Sequence, residues 1–373
     1  MKEYDVFSAV VIQPELTMVK DRKQLKQNLN RYLEILDTAV SCSTPTAAAP
    51  AELGKYESWA PVKLVCFPEF FLQGWTVKLD LETQIKEMAI EIPGEETNAL
   101  AKRAKEYGIY INGCALEYDS DWPDRILNCN FIIDPRGEII HKYHKFVPAI
   151  HFELSLSPHD MYDMYVEKYG KGKSILQTFF PVTETEIGKL GTLTCMDGHY
   201  PEHWRALAMN GAEIILRHTS LEPMISPPME TWEVENRMGA WANTVYVVSA
   251  NIGTHLSDEV VKFEHAGHSM VVDFNGVILA LADYPGETMI SSTICLDHLR
   301  RRRADPSRNF LTQLRTDVLR EIYKEQIYPK NLFLEEPVKS FAEVDKRDAR
   351  TLGIIDRFFE KGIFTKPRYL REK

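Results

Sequence analysis

The sequence lacks the long apolar runs and the basic charge that would indicate a membrane or nucleic-acid partner. No stretch approaches the roughly 18 consecutive apolar residues that a membrane-spanning helix needs. The formal net charge is −10, whereas surfaces that bind nucleic acids or anionic lipids carry clustered lysine and arginine. We therefore expect neither nucleic acid nor a membrane among the partners of this protein.

The sequence also lacks the features of an export signal. The first residues, "MKEYDVFSAVVIQPEL", include acidic side chains, and their apolar run is short and interrupted by Gln13 and Pro14. We therefore expect a cytoplasmic protein. In that compartment its six cysteines would be reduced thiols rather than disulfides.

The remaining composition is that of a globular protein in which strands and helices alternate. The chain has 373 residues, 44% of them hydrophobic, which is enough to bury a large core. "DVFSAVVIQ" and "VKLVCFPEF" predict buried strands, the second ending at Pro68, and "QLKQNLNRYLEILDTAV" has apolar residues at helical spacing. Predicted hairpins, one of them at "DPRG", interrupt the alternation. The pattern therefore favours a layered α/β fold with mixed sheets.

The character of the chain changes near residue 300. We expect one α/β domain over residues 1–300 and a charged, partly helical extension over residues 301–373. The extension shows no catalytic pattern, so we interpret it as a segment that packs on a neighbouring subunit. Residues 41–61, rich in alanine, proline and serine, are predicted to form a loop-like insertion.

One of the cysteines differs from the others in its position. Cys195 comes at the end of an apolar run and at the start of a predicted helix. At such a junction, free backbone N–H groups and peptide dipoles stabilise a thiolate and can bind an oxyanion. Cys42 lies in the insertion, and the remaining four are interpreted as small buried hydrophobic residues: Cys66, Cys114, Cys129 and Cys295.

A nucleophilic cysteine requires a base, and two charged residues stand at comparable junctions. An ordinary thiol has a pKa of about 8.5 and is ionised to only a few per cent at neutral pH. Glu69 follows an apolar strand, and Lys145 ends another. Either charge alone is most simply a solvated strand end. Because Glu69, Lys145 and Cys195 all stand at the carboxyl ends of predicted strands, we expect them to share one site.

Three segments of the sequence resemble the three motifs of the nitrilase (carbon–nitrogen hydrolase) superfamily, in the same order. They are "FPEFFLQGW", "HKYHKFVPAIHFE" and "GTLTCMDGHYPEHWRALAMNGAEIILR", and the similarity extends from about residue 5 to residue 297. The resemblance implies an α-β-β-α sandwich and a thiol hydrolase that needs no metal or other cofactor. It also implies a homo-oligomer built from dimers.

The resemblance also implies a role for each matching residue. Cys195 would attack the substrate carbon, and Glu69 would be the general base that accepts the thiol proton. Lys145 and the backbone N–H of Met196 would stabilise the negatively charged oxygen of the intermediate. Glu153 matches a second glutamate that positions the substrate or relays protons.

The residues after the cysteine favour an amide as the substrate. "CMDGHYPEHW", which includes His199 and Tyr200, resembles the amidase branch (aliphatic amidases and formamidases), whereas nitrilases usually place Trp-Glu directly after the cysteine. We expect hydrolysis of a small amide to a carboxylic acid and ammonia through a thioester. Nitriles and N-carbamoyl amines remain alternative substrates. Acyl transfer would use the same site.

Two departures from the amidase pattern concern the substrate pocket. Ala149 stands where aliphatic amidases tend to carry an aromatic residue, and Phe70 replaces a tyrosine beside the base. Both changes predict a roomier and more apolar acyl pocket. The tyrosine-rich segment 157–173 is either part of the pocket wall or a surface loop.

Two readings from other functional classes compete with the enzyme. Cys195, His199 and His203 have the spacing of metal ligands on one helix face, but Gly198 and Pro201 would interrupt that helix. We therefore predict no metal site there. A catalytically inactive scaffold is disfavoured because the glutamate, the lysine and the cysteine are all present.

Overall fold

Two six-stranded β-sheets form the centre of the part of the chain that the structure describes. The computed structural model describes residues 4–43, 60–74, 79–149, 153–220, 230–254 and 267–371. The strands are β1 (Val6–Gln13), β2 (Val62–Glu69), β3 (Tyr110–Tyr118), β4 (Ile126–Ile133), β5 (Ile139–His144), β6 (Val182–Thr185), β7 (Gly188–Thr194), β8 (Ile214–His218), β9 (Tyr246–Ala250), β10 (Met270–Val272), β11 (Ile278–Leu281) and β12 (Thr288–Cys295).

Both sheets are mixed. The first sheet has the order β12-β1-β2-β3-β4-β5, and the second sheet has the order β11-β10-β9-β8-β7-β6. In the first sheet β1, β2 and β3 are parallel, while β4 and β5 are added in antiparallel fashion. Strand β5 therefore runs in the same direction as β2, and the carboxyl ends of both strands lie at the same edge of the first sheet.

The two sheets pack face to face because apolar side chains alternate along the strands. Phe7, Ala9 and Val11 of β1 share a buried cluster with residues of the second sheet, such as Ile214 and Leu216. The intervening residues of each strand point outward, toward the helices. The described residues therefore form the α-β-β-α sandwich that the resemblance to the nitrilase superfamily implies.

Helices cover the outer face of each sheet. The longest, α1, buries one side through apolar residues at helical spacing, including Leu25, Leu29, Tyr32 and Leu36, which confirms the predicted helix. The α-helices are α1 (Arg22–Ser43), α2 (Leu81–Thr83), α3 (Glu95–Tyr107), α4 (Tyr162–Tyr169), α5 (Ile175–Phe179), α6 (Pro201–Met209), α7 (Glu230–Asn243), α8 (Leu296–Ala304), α9 (Thr316–Leu319), α10 (Ile354–Glu360) and α11 (Arg368–Arg371). Among the described residues, none of the helices has the length and apolarity needed to span a membrane.

The structure corrects one detail of the predicted elements. Strand β2 does not end at Pro68 but continues to Glu69, with an irregular register against β3 between Cys66 and Glu69. A bulge of this kind tolerates a proline, which has no N–H to contribute to the ladder. The apolar stretch that begins at Ile175 forms helix α5, which precedes β6. Most of the predicted insertion, residues 44–59, lies outside the described residues.

The tyrosine-rich segment 157–173 is packed rather than looped over the surface. It forms a 3₁₀ turn (Pro158–Met161) and helix α4. Tyr165 is buried, stacks on Phe179 with ring centroids 5.3 Å apart, and places its hydroxyl 3.0 Å from Nδ1 of His144. A contribution of this segment to the pocket wall stays a prediction.

The C-terminal extension packs against its own chain. Phe333, Val338 and Val344 are buried in one cluster with Leu154 and Leu156, which follow Glu153. Contact with a neighbouring subunit, and the division of the chain near residue 300, stay predictions.

A buried histidine contacts both sheets, and its environment predicts that the fold becomes less stable in acid. His141 on β5 lies 2.9 Å from the hydroxyl of Thr183 on β6 and 3.0 Å from that of Thr192 on β7. Burial lowers the pKa of His141 to about 3, so its imidazole is neutral in the fold. The unfolded chain, with a histidine pKa of about 6.5, takes up a proton as the pH falls below that value. The free energy of unfolding should therefore decrease by up to about 1.4 kcal/mol per pH unit from this residue alone.

Urea unfolding at pH 7 and pH 5 tests this expectation. The His141→Gln variant should lose less stability between the two pH values than the wild type, by about 2 kcal/mol. The control is His298→Gln, a substitution on the exposed side of α8. An identical pH dependence in the wild type and His141→Gln would contradict the prediction.

Candidate active site

The carboxyl ends of three strands bring the predicted residues together. Glu69 is the last residue of β2, Lys145 directly follows β5, and Cys195 directly follows β7. The chain turns sharply at two of these points, because Phe70 and Cys195 have left-handed backbone angles, with φ of 56° and 49°. Such a conformation costs a non-glycine residue about 1–3 kcal/mol and is characteristic of functional sites.

The ammonium group of Lys145 connects two glutamates. Its Nζ donates a hydrogen bond to Oε1 of Glu69 at 2.9 Å and another to Oε1 of Glu153. The three side chains are almost completely buried, with exposed fractions of 1% for Glu69, 1% for Lys145 and 6% for Glu153. Two carboxylates share one buried cation, so further donors are needed to stabilise them.

Asn128 supplies a donor to both glutamates. Its Nδ2 lies 2.7 Å from Oε1 of Glu69 and 3.3 Å from Oε2 of Glu153, and its Oδ1 accepts from the thiol of Cys114 at 3.1 Å. The backbone N–H of Ser220 also donates to Glu69, at 3.0 Å. Sequence reasoning missed Asn128, although a buried asparagine in the apolar strand "ILNCNFII" is a usable signal.

The second glutamate is held by its own loop. The hydroxyl of Ser155 donates to Oε2 of Glu153 at 2.8 Å, and the backbone N–H of Ala149 donates to Oε1 at 3.0 Å. The structure therefore places Ala149 at the site, through its main chain. Burial works against ionisation of Glu153, but the charge and hydrogen bond of Lys145 prevail and lower its pKa.

Cys195 is a thiol in the resting site. Burial raises its pKa to about 12, and the nearby Glu69 carboxylate adds to the rise while Lys145 opposes it. Burial also disfavours the charge on Lys145, but Cys195, Glu153 and Glu69 together hold its pKa well above the usual range. The loss of hydration raises the pKa of Glu69 despite the opposing effect of Lys145. The arrangement therefore pairs a protonated sulfur with a carboxylate that is a stronger base than a free glutamate.

Asp197 connects the turn after Lys145 to the turn after Cys195. Its carboxylate accepts hydrogen bonds from the hydroxyl of Tyr143 at 2.7 Å and from the backbone N–H of Val147 at 2.8 Å. Burial raises the pKa of Asp197 to about 6, although these donors oppose the rise. The contact joins the first sheet to the second directly beside the site.

A further ion-pair network contacts the 3₁₀ turn Cys195–His199. Arg217 donates to the carbonyl oxygen of Cys195 at 3.4 Å and to Oε2 of Glu235 at 2.6 Å. The guanidinium lies so close to Gly198 that a Cβ on that residue would come within 2.2 Å of it. The structure brings His199 to this network, where its Nδ1 contacts Glu235.

The other predicted residues lie around the turn in different ways. Met196 is half-buried in the 3₁₀ turn Cys195–His199, where the first N–H groups have no partner within the helix. Phe70 is buried in the hydrophobic core beside Glu69. Tyr200 is 39% exposed and stacks on His203 with ring centroids 4.9 Å apart.

The imidazoles of the alternative metal site have other partners. Nδ1 of His203 lies 2.9 Å from the carbonyl oxygen of Asp197, and His199 contacts Glu235. Elsewhere in the described residues, Glu117, Cys129 and His144 form a buried group of ligand-type side chains. The ammonium of Lys142 contacts Glu117, and Nε2 of His144 lies 2.7 Å from its other oxygen, so this carboxylate already has a cationic partner and a hydrogen-bond partner.

Comparison with solved structures identifies the class of fold. The sandwich is similar to that of Saccharomyces cerevisiae Nit3, a member of the nitrilase superfamily, with a TM-score of 0.60 and 22% identity over 82% of this chain and 96% of that one. It is also similar to the amidase from Nesterenkonia sp. AN1, with a TM-score of 0.58 and 17% identity over 84% of this chain and 96% of that one. The fold is therefore that of the nitrilase superfamily.

Comparison of sequences identifies the family. The family model described as carbon-nitrogen hydrolase matches residues 13–304. The formamidase of Bacillus thuringiensis (strain Al Hakam) is 27% identical over 280 residues, which cover 75% of this chain and 71% of that protein. The chain belongs to the carbon–nitrogen hydrolase family, and it is an enzyme that hydrolyses carbon–nitrogen bonds.

Proposed function

We propose that this enzyme cleaves the C–N bond of a small amide, through a thioester on Cys195, to give a carboxylic acid and ammonia. The observation that carries the proposal is the position of Lys145, which bridges Glu69 and Glu153 within electrostatic reach of the Cys195 sulfur. This arrangement provides a nucleophile, a base and a fixed cation, which are the groups that acyl transfer to a thiol requires.

The first half of the proposed reaction forms the thioester. Glu69 accepts the proton of the Cys195 thiol while the sulfur attacks the amide carbon, and a C–S bond forms. The carbonyl oxygen then carries the negative charge, which the ammonium of Lys145 and the N–H of Met196 stabilise. Glu69 passes its proton to the amide nitrogen, the C–N bond breaks, and ammonia leaves.

The second half releases the acid by the same groups. Water attacks the thioester carbon, and Glu69 accepts a proton from that water. The C–S bond breaks, Glu69 returns that proton to the sulfur, and the carboxylic acid leaves. Glu153 holds Lys145 in place, and in this proposal it also orients the departing nitrogen.

The relatives support an amide over the other substrate classes. The similar B. thuringiensis protein is a formamidase. A glutamate-to-glutamine mutant of the Nesterenkonia amidase carries a covalent addition of the acetamide moiety of fluoroacetamide at its active-site cysteine. We extend amide hydrolysis and a nucleophilic active-site cysteine to this chain as part of the proposal, with nitriles and N-carbamoyl amines as the alternatives.

Ammonia release from compounds of graded size tests the substrate class. The panel contains linear amides from formamide to hexanamide, the matching nitriles and matching N-carbamoyl amines. We expect turnover of amides, with a preference for the longer ones because the small side chain of Ala149 would leave room for a longer acyl group. A preference for nitriles or N-carbamoyl amines would overturn the assignment.

A substitution at Ala149 tests the proposed pocket shape. Ala149→Trp should narrow the pocket and shift the preference toward shorter amides by roughly tenfold in kcat/KM, which is within the range that one or two methylene groups provide. Ala149→Gly, which keeps the backbone N–H to Glu153, serves as the control and should leave the order of preference unchanged. If Ala149→Trp showed the same order of preference as the wild type, the acyl group would not bind beside residue 149.

A further inference from the structure

A buried arginine from the C-terminal extension lies against the loop that carries Glu153. Arg347 lies beyond the residues that the family model matches, 13–304, and is 3% exposed. Its Nη1 donates to the carbonyl oxygen of Glu153 at 2.9 Å, and its Nη2 donates to the carbonyl oxygen of Ser155 at 3.0 Å. The planar guanidinium thus fixes two alternate carbonyl groups of one short stretch of main chain.

The same extension also holds the other end of this loop. The carbonyl oxygen of Asp160 accepts a hydrogen bond from the backbone N–H of Phe333 at 2.9 Å, and that of His159 accepts one from Asn331 at 3.0 Å. The carboxylate of Asp160 lies 4.0 Å from Nε of Arg347. Residues 153–160 are therefore attached to the extension at both ends.

Specific partners offset most of the burial of Arg347, although its Nε has no hydrogen-bond partner among the described residues. A guanidinium out of water is costly unless it is paired and hydrogen-bonded. Arg347 has the Asp160 carboxylate, the two carbonyl groups and the face of the Phe333 ring, whose centroid is 5.5 Å from its Cζ. A lysine would retain the charge but would not donate to both carbonyl groups in one plane.

The attachment reaches the candidate active site through Glu153. The carbonyl groups that Arg347 holds belong to Glu153 and Ser155, and the side chains of these two residues are hydrogen-bonded to each other. The Glu153 carboxylate in turn binds Lys145, which neighbours Cys195 electrostatically. A shift of this loop would therefore displace Lys145 relative to the sulfur.

We propose that Arg347 is a positioning residue, by which the C-terminal extension completes the active site of its own chain. The proposal rests on the proposed function for its activity measurements. It predicts that the extension contributes to turnover, although it lies outside the family's common domain.

Variants of Arg347 test the proposal with a matched control. Arg347→Met keeps most of the side-chain volume and should lower kcat/KM for the preferred amide by about 10- to 100-fold, the effect expected for a misplaced catalytic group. Arg347→Lys should recover part of that loss. Arg350→Ala removes an exposed arginine three residues further on and should leave activity unchanged.

A double-mutant cycle separates positioning from general stabilisation. If Arg347 acts through Glu153, Arg347→Met should reduce the remaining activity of Glu153→Gln by less than about twofold, because the group that it positions has already been altered. Equal effects of Arg347→Met in the wild type and in Glu153→Gln would overturn the proposal. Thermal unfolding of each variant confirms that folded proteins are compared. If Arg347→Met does not fold, Arg347→Lys replaces it in the cycle.

Alkylation of Cys195 by iodoacetamide gives a measurement that needs no substrate. Its rate, followed by mass spectrometry of the peptide that contains Cys195, reports the thiolate fraction. A displaced Lys145 stabilises the thiolate less, so Arg347→Met should react at least about threefold more slowly at pH 7. An unchanged rate would overturn the proposal. A slower rate in a protein that hydrolyses none of the amides would leave the positioning role standing and reject the proposed function.

Discussion

The Cys195→Ala variant should release ammonia no faster than the uncatalysed background, with a loss of at least about 10⁴-fold in kcat. In the proposed mechanism the sulfur forms the bond to the substrate carbon, and the other groups of the site act on the intermediate that results. Alanine fits the same left-handed turn no worse than cysteine does. The variant should therefore keep the fold, which circular dichroism and thermal unfolding would verify.

A second cysteine provides the control for this experiment. Cys66 lies on β2, three residues before Glu69, and is completely buried between the sheets. Cys66→Ala should lower the free energy of unfolding by about 1 kcal/mol, because a small cavity remains, and should retain most of the turnover. Undiminished activity in Cys195→Ala would refute the thiol mechanism outright.

The Glu69→Gln variant should lose about 10²- to 10⁴-fold in kcat/KM, the usual contribution of a general base. Glutamine has nearly the same shape and can still contact Asn128 and Ser220, but it cannot accept the thiol proton. Lys145 retains Glu153 as a partner, so the loss should appear in turnover more than in folding. Glu106→Gln, an exposed substitution on α3, is the matched control and should have no effect.

The dependence of activity on pH provides a second test of the role proposed for Glu69. The carboxylate must be ionised to act as a base, and burial raises its pKa above the ordinary glutamate value. Activity in the wild type should therefore fall as the pH decreases through this raised pKa. The small residual activity of Glu69→Gln should lack that acidic limb. An unchanged acidic limb in the variant would assign the titration to another group.

The sequence predicts those parts of the structure that depend on local pattern. Alternation along β1 and the helical spacing along α1 follow from which side chains each element buries, so both elements could be predicted. The strand ends that carry Glu69, Lys145 and Cys195 are visible for the same reason. The irregular end of β2 at Pro68 could not be predicted, because its pairing with the partner strand β3 decides it.

Contacts between distant parts of the chain account for what the sequence does not reveal. Asn128 joins Glu69 to Glu153 only because β4 lies beside the site in space. Arg347 belongs to a charged extension, in which an arginine is normally solvated, and its burial depends on a loop nearly two hundred positions earlier. Pattern alone carries no information on such pairs.

The candidate site draws its side chains from both sheets, so its geometry depends on how the two sheets are positioned against each other. Glu69 and Lys145 leave the first sheet, whereas Cys195 leaves the second sheet. His218 of β8, in the second sheet, contacts the carbonyl oxygen of Phe67 and the side chain of Asn112, both in the first sheet. These contacts connect the two sheets. If one sheet slid past the other, the sulfur of Cys195 would move away from the carboxylate of Glu69 although every strand remained folded. Low concentrations of denaturant should therefore abolish the enzyme activity before any secondary structure is lost.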